Sequence, residues 1–368
     1  GVSQYYSTYT AKYPPYKVYA GSQDQGFQRR SNISDGIYDF EQVISGDYGH
    51  LVSPNQGESI WSVYPGFVLL YPNASNNSNG LTWDFQGSGY LWLPPLMEDP
   101  ENENVIYIAG GGINGGNHII KLTKVGNSIQ HEEMAFPFNN TITSMAYSPI
   151  DNSHWYAMTY NGSFYHSTDY GNSWEISLGF NGPESHYFYG SSIYPSNQTL
   201  GKVLIGGSGY SNSPVYITYN HGQNFQNFSQ GLPNTMVFKI DGTLTDQVIF
   251  AATELGPYAY TDEQGEWINI MGLSAPDQTY WSLEYVPEIN TARFGTYGRG
   301  IWDFIINENI DVLYGDINQD ETINIQDVIL LINIILDESD FIIEADMNND
   351  EVINVIDVVS LVNIILGA

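Results

Sequence analysis

The chain has 368 residues, and its 10 Lys and Arg against 41 Asp and Glu give a formal net charge of −31. This balance argues against a nucleic-acid binder and against docking on anionic lipid, because both need clustered basic side chains. The absence of Cys excludes a disulfide framework, a thiolate metal site and a Cys nucleophile.

The first 310 residues show regularly spaced β-like runs, at a pitch of about 40 to 50 residues that is typical of a β-propeller. Short strands and a surface of Asn, Ser, Thr, Gln and Tyr further predict a mainly β, extracellular protein, and no apolar run is long enough to insert into a membrane. Seven runs define the predicted blades, at 17–21, 59–70, 104–110, 154–160, 202–206, 247–252 and 290–295.

A turn signature, S/T-x-D-x-G-x-x-W, follows several of these runs. It is complete at 167–174 (STDYGNSW), recurs at 218–225 (TYNHGQNF) and is weaker at 261–267 (TDEQGEW). We expect its acidic or amide side chain to bond turn amides, its Gly to take a positive φ and its aromatic residue to pack between sheets. The signature is therefore interpreted as structural rather than catalytic, with these residues: Ser167, Asp169, Gly171, Trp174, Thr218, Asn220, Gly222 and Phe225.

These turns, together with 21–26 (GSQDQG), 46–49 (GDYG) and 296–302 (TYGRGIW), resemble Asp-box (BNR-type) propellers of the sortilin-like and xyloglucanase-like group. If the resemblance extends to inverting glycoside hydrolysis, Asp24 and Asp47 are the candidate carboxylates, which such chemistry needs about 6.5–9.5 Å apart. The alternative is that both cap turns beside Gly. The chain continues into the tail after residue 306, and the last unit has no clear fourth strand. Either this blade has fewer strands than the others, or upstream chain that would supply the strand is missing.

Other chemistries find little support. A sialidase needs three converging Arg, whereas Arg29, Arg30, Arg293 and Arg299 are the only four in the chain. The seven His are scattered, and none pair at the spacing of metal ligands. Aromatic clusters could form sugar-stacking platforms or blade core, and the Asn-x-Ser/Thr sequons matter only if the source glycosylates its proteins.

The tail from residue 311 differs in composition, since residues 300–368 hold 15 acidic residues and no basic one. It contains a duplication, because 316–336 and 346–366 are identical at 13 of 21 positions. Each copy places oxygen ligands at loop positions 1, 3, 5, 7, 9 and 12, which suits one Ca²⁺ per loop and two ions in all. The predicted ligands are Asp316, Asn318, Asp320, Thr322 (carbonyl), Asn324 and Asp327, then Asp346, Asn348, Asp350, Val352 (carbonyl), Asn354 and Asp357.

Residues 311–368 resemble a type I dockerin, a tandem calcium loop–helix module. The resemblance implies a cohesin-like partner that binds the helix faces, and both predicted helices are apolar nearly all round, more than so small a domain can bury. The pairs after loop position 9 depart from the Ser-Thr of the best-known cellulosomal type. The predicted partner-binding residues are Ile325, Gln326, Ile329, Val355, Ile356 and Val359.

The sequence thus predicts a secreted, non-catalytic propeller at 1–310 that displays or binds a ligand, such as a carbohydrate, and a calcium-dependent tail at 311–368 that attaches it to a partner. Three alternatives stay open. The tail packs on the propeller of its own chain, it docks on a neighbouring copy to build a surface filament, or the propeller is a glycoside hydrolase.

Overall fold

The computed structural model of the chain describes residues 3–34, 37–75, 79–111, 116–180, 188–210, 212–306, 315, 317–318, 322–337, 345–347 and 352–366. It divides into two compact units, Gly1–Ile306 and Asn307–Ala368. No helix in the described ranges is long and apolar enough to cross a membrane.

The first unit consists of seven antiparallel sheets that follow one another along the chain. The first three sheets are β1–β4 (Tyr5–Thr10, Val18–Ser22, Gly26–Ser34, Ile37–Ile44), β5–β8 (Leu51–Val52, Ile60–Tyr64, Phe67–Tyr71, Leu81–Asp84) and β9–β12 (Leu96–Glu98, Val105–Gly111, His118–Val125, Ser128–Glu133). The fourth and fifth are β13–β16 (Ile142–Tyr147, Trp155–Thr159, Phe164–Ser167, Glu175–Ile176) and β17–β20 (Gly190–Pro195, Val203–Gly207, Val215–Thr218, Gln226–Asn227). The last two are β21–β24 (Val237–Gly242, Ile249–Thr253, Gly256–Tyr260, Trp267–Asn269) and β25–β27 (Tyr280–Val286, Thr291–Thr296, Ile301–Ile305).

The sheets form a closed ring. The first strand of each sheet contacts the first strand of the next, from β1 through β5, β9, β13, β17 and β21 to β25, and β25 contacts β1 again. A bridge between Gln4 and Tyr297 and a hydrogen bond from the Gly298 amide to the Ser3 carbonyl join the two ends. The predicted seven-bladed propeller is therefore confirmed, and each predicted run overlaps the second strand of one sheet.

The last sheet has three strands among the described residues, whereas the first sheet has four of its own, beginning with β1. The first and last sheets meet through β1 and β25 rather than by sharing a strand.

Clusters of buried apolar side chains lie between neighbouring sheets, because each second and third strand presents alternate residues to the sheet on either side. Trp155, for example, packs its ring edge-on against Tyr107 of the preceding sheet with centroids 4.7 Å apart. On the other side, Tyr156 belongs to a cluster with Ile205 of the following sheet. Large aromatic residues thus fill the wedge that widens outward between two twisted sheets.

The second unit contains the two predicted helices, α1 (Ile325–Asp337) and α2 (Val355–Leu366). Its small core is formed by Val328, Leu331, Ala345 and Leu361, with the partly buried Met347 and Val362 around them. Each helix therefore buries only one of its apolar faces, and the remainder of its apolar surface stays exposed.

Candidate functional site

The two loops of the tail are built around the carboxylates at loop position 12. Asp327 Oδ1 accepts hydrogen bonds from the amides of Ile317 and Asn318 at 2.9 and 3.2 Å, and its Oδ2 accepts the Asn324 amide at 2.8 Å. The second copy repeats this, since Asp357 accepts the amides of Met347 at 2.9 Å and Asn354 at 2.7 Å. Position 12 thus fastens the entrance of each loop to the start of the helix that follows.

The residue at position 9 caps each helix. Asn324 Oδ1 accepts the amide of Gln326 at 2.8 Å, and Asn354 Oδ1 accepts the amide of Ile356 at 2.8 Å. With the acidic residue at position 12 bonding back to the cap amide, this is the reciprocal arrangement of a capping box. The same Asn and Asp side chains therefore organise the start of each helix.

The described residues fit calcium as the implied ion. Asp327, Asp346 and Asp357 are buried, in a part of the sequence that has no basic residue. Buried carboxylates need a positive partner, and hard oxygens are the ligands that Ca²⁺ prefers. Asn318, Thr322, Asn324, Val352 and Asn354 lie in the same loops, whereas Asp316, Asp320, Asn348 and Asp350 lie outside the described residues.

The residues predicted to bind a partner are all exposed, at corresponding places on the two helices. Ile325 and Val355 at the helix starts are 62% and 67% exposed, and one turn later Ile329 and Val359 are 53% and 56% exposed. Gln326 and Ile356 lie beside them. We call Ile325, Ile329, Val355, Ile356 and Val359 the apolar tail patch.

A cavity of about 580 Å³ lies on the axis of the propeller, within the range of small-ligand sites. Its wall comes from the first strands of the sheets and combines aromatic with charged side chains, among them Trp281, Lys239 and Glu284. Burial raises the pKa of Glu98 and of Asp241 in this wall. Burial, reinforced by Lys239, lowers the pKa of His50 to about 4.

A cluster of aromatic side chains adjoins this cavity, since two of its members, Tyr6 and Trp281, line the cavity wall. Tyr6 contacts Trp281 and Trp92 with ring centroids 5.0 and 5.6 Å apart, and Trp281 also meets Tyr297 edge-on at 5.1 Å. Of these, Trp92 and Tyr297 are exposed. These four residues, Tyr6, Trp92, Trp281 and Tyr297, form what we call the aromatic mouth.

The two candidate catalytic carboxylates lie beside this mouth, since both act electrostatically on Tyr6. The structure brings them together: Asp47 Oδ1 accepts the backbone amide of Asp24 at 2.9 Å, and Asp24 has a φ of 59°. Asp47 therefore holds the turn that carries Asp24, which is the turn-capping alternative.

The signature turns show the hydrogen bonds expected of them. The Ser167 hydroxyl donates to Asp169 Oδ1 at 2.8 Å, and Asp169 accepts the Ser173 amide at 2.8 Å. Thr218 and Asn220 form the corresponding pair at 2.9 Å. Gly171 and Gly222 have φ values of 77° and 86°. Trp174 packs in the cluster between the third and fourth sheets, and Phe225 packs in the cluster between the fourth and fifth.

One interpretation of the sequence was wrong. The His residues are not all scattered, because His154, His166 and His221 each place a ring nitrogen within 4.8 Å of the other two. Sequence spacing missed this cluster because His221 comes from the next sheet, 55 residues beyond His166. One signal was available. In the hairpin of β14 and β15, His166 pairs with Tyr156, and this register brings His166 near His154.

Comparison with known proteins bears on the tail and on the propeller separately. Residues 314–366 match the model of the dockerin type I domain, a family that binds calcium and cohesin partners. No curated protein matches the chain.

Solved structures match the propeller. Two crystal structures of the extracellular domain of BT4673 from B. thetaiotaomicron, named as a one-component system and as a hybrid two-component system, align with TM-scores of 0.57 and 0.58. Their identities to this chain are 16% and 15%, so the likeness shows the fold alone. Each alignment covers 82% of this chain but only 38% of the other, so this chain spans well under half of their length.

Proposed function

We propose that this chain is a secreted propeller that is attached to a cohesin-like partner through its tail, with two Ca²⁺ ions holding the tail in its binding conformation. The observation that carries the proposal is the apolar tail patch, which repeats at the same positions of α1 and α2. Large apolar side chains exposed on a domain this small are typical of a protein interface. The match of residues 314–366 to the dockerin type I domain supports the kind of partner.

The role of calcium follows from the loops. When bound, Ca²⁺ supplies the positive charge that buried Asp327, Asp346 and Asp357 require. These carboxylates also fix the starts of α1 and α2. Removing the ion leaves buried negative charges that repel one another, so we expect the helices and the patch that they carry to be lost together.

Extracellular localisation is part of the proposal. The chain has few charged residues, at 14%, and a net charge of −31. The solved propellers that resemble it are extracellular domains. The millimolar calcium outside cells would keep such loops filled.

The test is the binding of recombinant cohesin modules to the full chain, measured by titration calorimetry in Ca²⁺ and in EGTA. We expect binding in Ca²⁺ only, and at least a tenfold loss in the double variant Ile329→Asp, Val359→Asp. Asn333→Asp, an exposed polar position on α1, is the matched control.

Light scattering of the chain alone separates the alternatives. A monomer in Ca²⁺ and in EGTA fits a foreign partner. Polymers that form in Ca²⁺ and dissociate in EGTA, without binding of any cohesin, would replace the proposal by the self-assembling filament.

A second proposal concerns the propeller, which we infer to bind a carbohydrate at the aromatic mouth. Exposed Trp92 and Tyr297 offer flat apolar faces of the kind that stack on sugar rings, and polar groups such as Asp24 and Gln23 lie close by. The axial cavity behind the mouth provides space for further sugar units.

This proposal is tested by affinity electrophoresis against a panel of soluble polysaccharides. We expect one polysaccharide to retard the chain, and Trp92→Ala to reduce the retardation at least about fivefold, since stacking on one aromatic ring contributes about 1 kcal/mol or more. Tyr219→Ala removes an equally exposed ring from a turn of the fifth sheet and serves as the control. Equal retardation of both variants would contradict a site at the mouth. Product analysis with Asp24→Asn and Asp47→Asn would reveal any hydrolysis.

A further inference from the structure

Three imidazole rings meet where the fourth and fifth sheets lie side by side. His154 immediately precedes β14, His166 lies in β15, and His221 follows β19 in a signature turn of the fifth sheet. His154 Nδ1 lies 2.8 Å from His166 Nε2, and the ring of His221 stacks nearly parallel to both at 4.6 and 4.4 Å between centroids. All three side chains are partly exposed.

An oxygen atom bonds the other nitrogen of one of these rings. The Tyr156 hydroxyl lies 2.9 Å from His221 Nδ1, within hydrogen-bonding distance, whereas Asp151 Oδ2 lies 3.8 Å from His154 Nε2, too far for a hydrogen bond. Metal-binding His residues almost always have such a partner, because a hydrogen bond on one side of the ring fixes the lone pair on the other. His221 has this partner on Nδ1, which leaves its Nε2 for an ion.

We propose that His154, His166 and His221 bind one divalent transition-metal ion, of which Zn²⁺ is the representative, and that this ion links the fourth sheet to the fifth. Three imidazole nitrogens suit zinc, copper or nickel and do not suit Ca²⁺, which takes oxygen ligands. The site is therefore separate from the tail loops in position and in metal preference.

The required movements are small. Zinc–nitrogen bonds of about 2.0–2.1 Å place two tetrahedral ligand atoms about 3.3 Å apart. His154 Nδ1 and His166 Nε2, now 2.8 Å apart, must separate by about 0.5 Å. The ring nitrogen of His221 lies within 4.8 Å of the other two and must approach them by up to about 1.5 Å. A cavity of about 260 Å³ lined by His166 and His221 gives the rings room to rotate.

The same cavity supplies a fourth ligand position. Glu175 lines it, and its Cα pairs with that of His166 across β15 and β16. A carboxylate or a water molecule at this place would complete three nitrogen ligands to the four that zinc usually takes. Because the chain has no Cys, such an ion would be a link between sheets that disulfides cannot provide.

The experiment titrates the full chain with Zn²⁺ in saturating Ca²⁺, which fills the oxygen sites of the tail first. We expect one Zn²⁺ per chain, a rise of the thermal unfolding midpoint with Zn²⁺, and intense visible absorption of the Co²⁺-substituted protein, as for a tetrahedral nitrogen site. His166→Gln and His221→Asn should each weaken Zn²⁺ binding at least tenfold.

Asn suits position 221 because it tolerates the φ of 56° found there. Tyr170→Asn, at the equivalent turn position of the fourth sheet with a φ of 59°, is the matched control and should bind Zn²⁺ like the unmodified chain. Binding that His166→Gln and His221→Asn leave unchanged, or no Zn²⁺ binding at all, would overturn the proposal and leave a hydrogen-bonded His pair under a stacked ring.

Discussion

Glu284 of the seventh sheet accepts two hydrogen bonds from Thr10 of the first sheet, one from the backbone amide at 2.9 Å and one from the hydroxyl at 2.7 Å. The same hydroxyl accepts a bond from Arg293 Nη1 at 2.5 Å, and Arg293 forms two parallel bonds with Asp303. Residues at opposite ends of the propeller sequence thus close the ring through a buried charged network.

We expect Thr10→Val to destabilise the propeller by about 1–3 kcal/mol, because Val keeps the shape but takes one hydrogen-bond partner from Glu284 and one from the buried Arg293. Thr10→Ser, which keeps the hydroxyl, should restore most of the stability. The measurement is the midpoint of guanidinium unfolding.

The partly exposed ion pair of Lys12 with Glu288, 3.9 Å apart between the same two sheets, provides the comparison. Lys12→Met should cost less than about 1 kcal/mol. An equal loss in Lys12→Met and Thr10→Val would mean that the buried network has no special part in closing the ring.

The helix caps make a prediction about calcium. Asn324→Ala removes an N-cap worth about 1 kcal/mol together with one of the predicted calcium ligands, so the Ca²⁺ concentration at which the tail helices form should rise at least about fivefold. Asn354→Ala should behave alike, since the second loop repeats the contact.

Circular dichroism at 222 nm reports this transition, because α1 and α2 are the α-helices among the described residues. Asn333→Ala, within α1 and exposed, is the control. An unchanged midpoint in Asn324→Ala would show that the cap does not contribute to loop formation.

Substitution of two glycines with positive φ distinguishes the energetic cost of backbone strain from that of steric crowding. A Cβ at Gly171 (φ 77°) would lie 2.6 Å from the Trp155 ring, whereas a Cβ at Gly265, which has a similar φ of 69°, would meet nothing within 4 Å. Gly265→Ala should therefore show the strain alone, and Gly171→Ala should cost about 1–3 kcal/mol more. Thermal unfolding of both variants measures this difference, and equal losses would mean that Trp155 moves aside.

Acid should weaken the propeller partly through His50. Its pKa is about 4 in the folded chain, below the usual 6.5, so the unfolded chain binds more protons between these values. The free energy of unfolding must then fall as the pH drops from 6.5 toward 4. His50→Gln should remove about 1–3 kcal/mol of this loss, since a difference of one in pKa corresponds to about 1.4 kcal/mol and part of the ring is exposed.

Unfolding midpoints at pH 7.5, 5.5 and 4.5 test the prediction, with His131→Gln as the control for loss of an exposed imidazole. Glu98 and Asp241, whose pKa values are raised by burial, act in the opposite direction in both proteins and cancel in the comparison. Parallel pH profiles for His50→Gln and the unmodified chain would contradict the assignment.

The sequence predicted the parts of this molecule that repeat along the chain. It missed the contacts that occur once and depend on how particular strands and sheets are placed beside one another. Strand runs such as 154–160 and the loops at 316 and 346 recur, so each copy supports the interpretation of the others. The Thr10–Glu284 closure and the meeting of His166 with His221 occur once each, between residues that only the ring geometry brings together. Aromatic residues such as Trp92 could equally have been core, and only the surface exposure distinguishes the two.

Each strand from β1 to β4 belongs to the first sheet, and each from β25 to β27 belongs to the last. These two sheets therefore meet through contacts between β1 and β25, and not through a loop that runs from one sheet to the other. The order in which the seven sheets are translated is thus not a requirement of the architecture. A circularly permuted chain, cut at the exposed turn at Gly126 and joined from the end of β27 to the start of β1 by a linker long enough to reach, should rebuild the same ring.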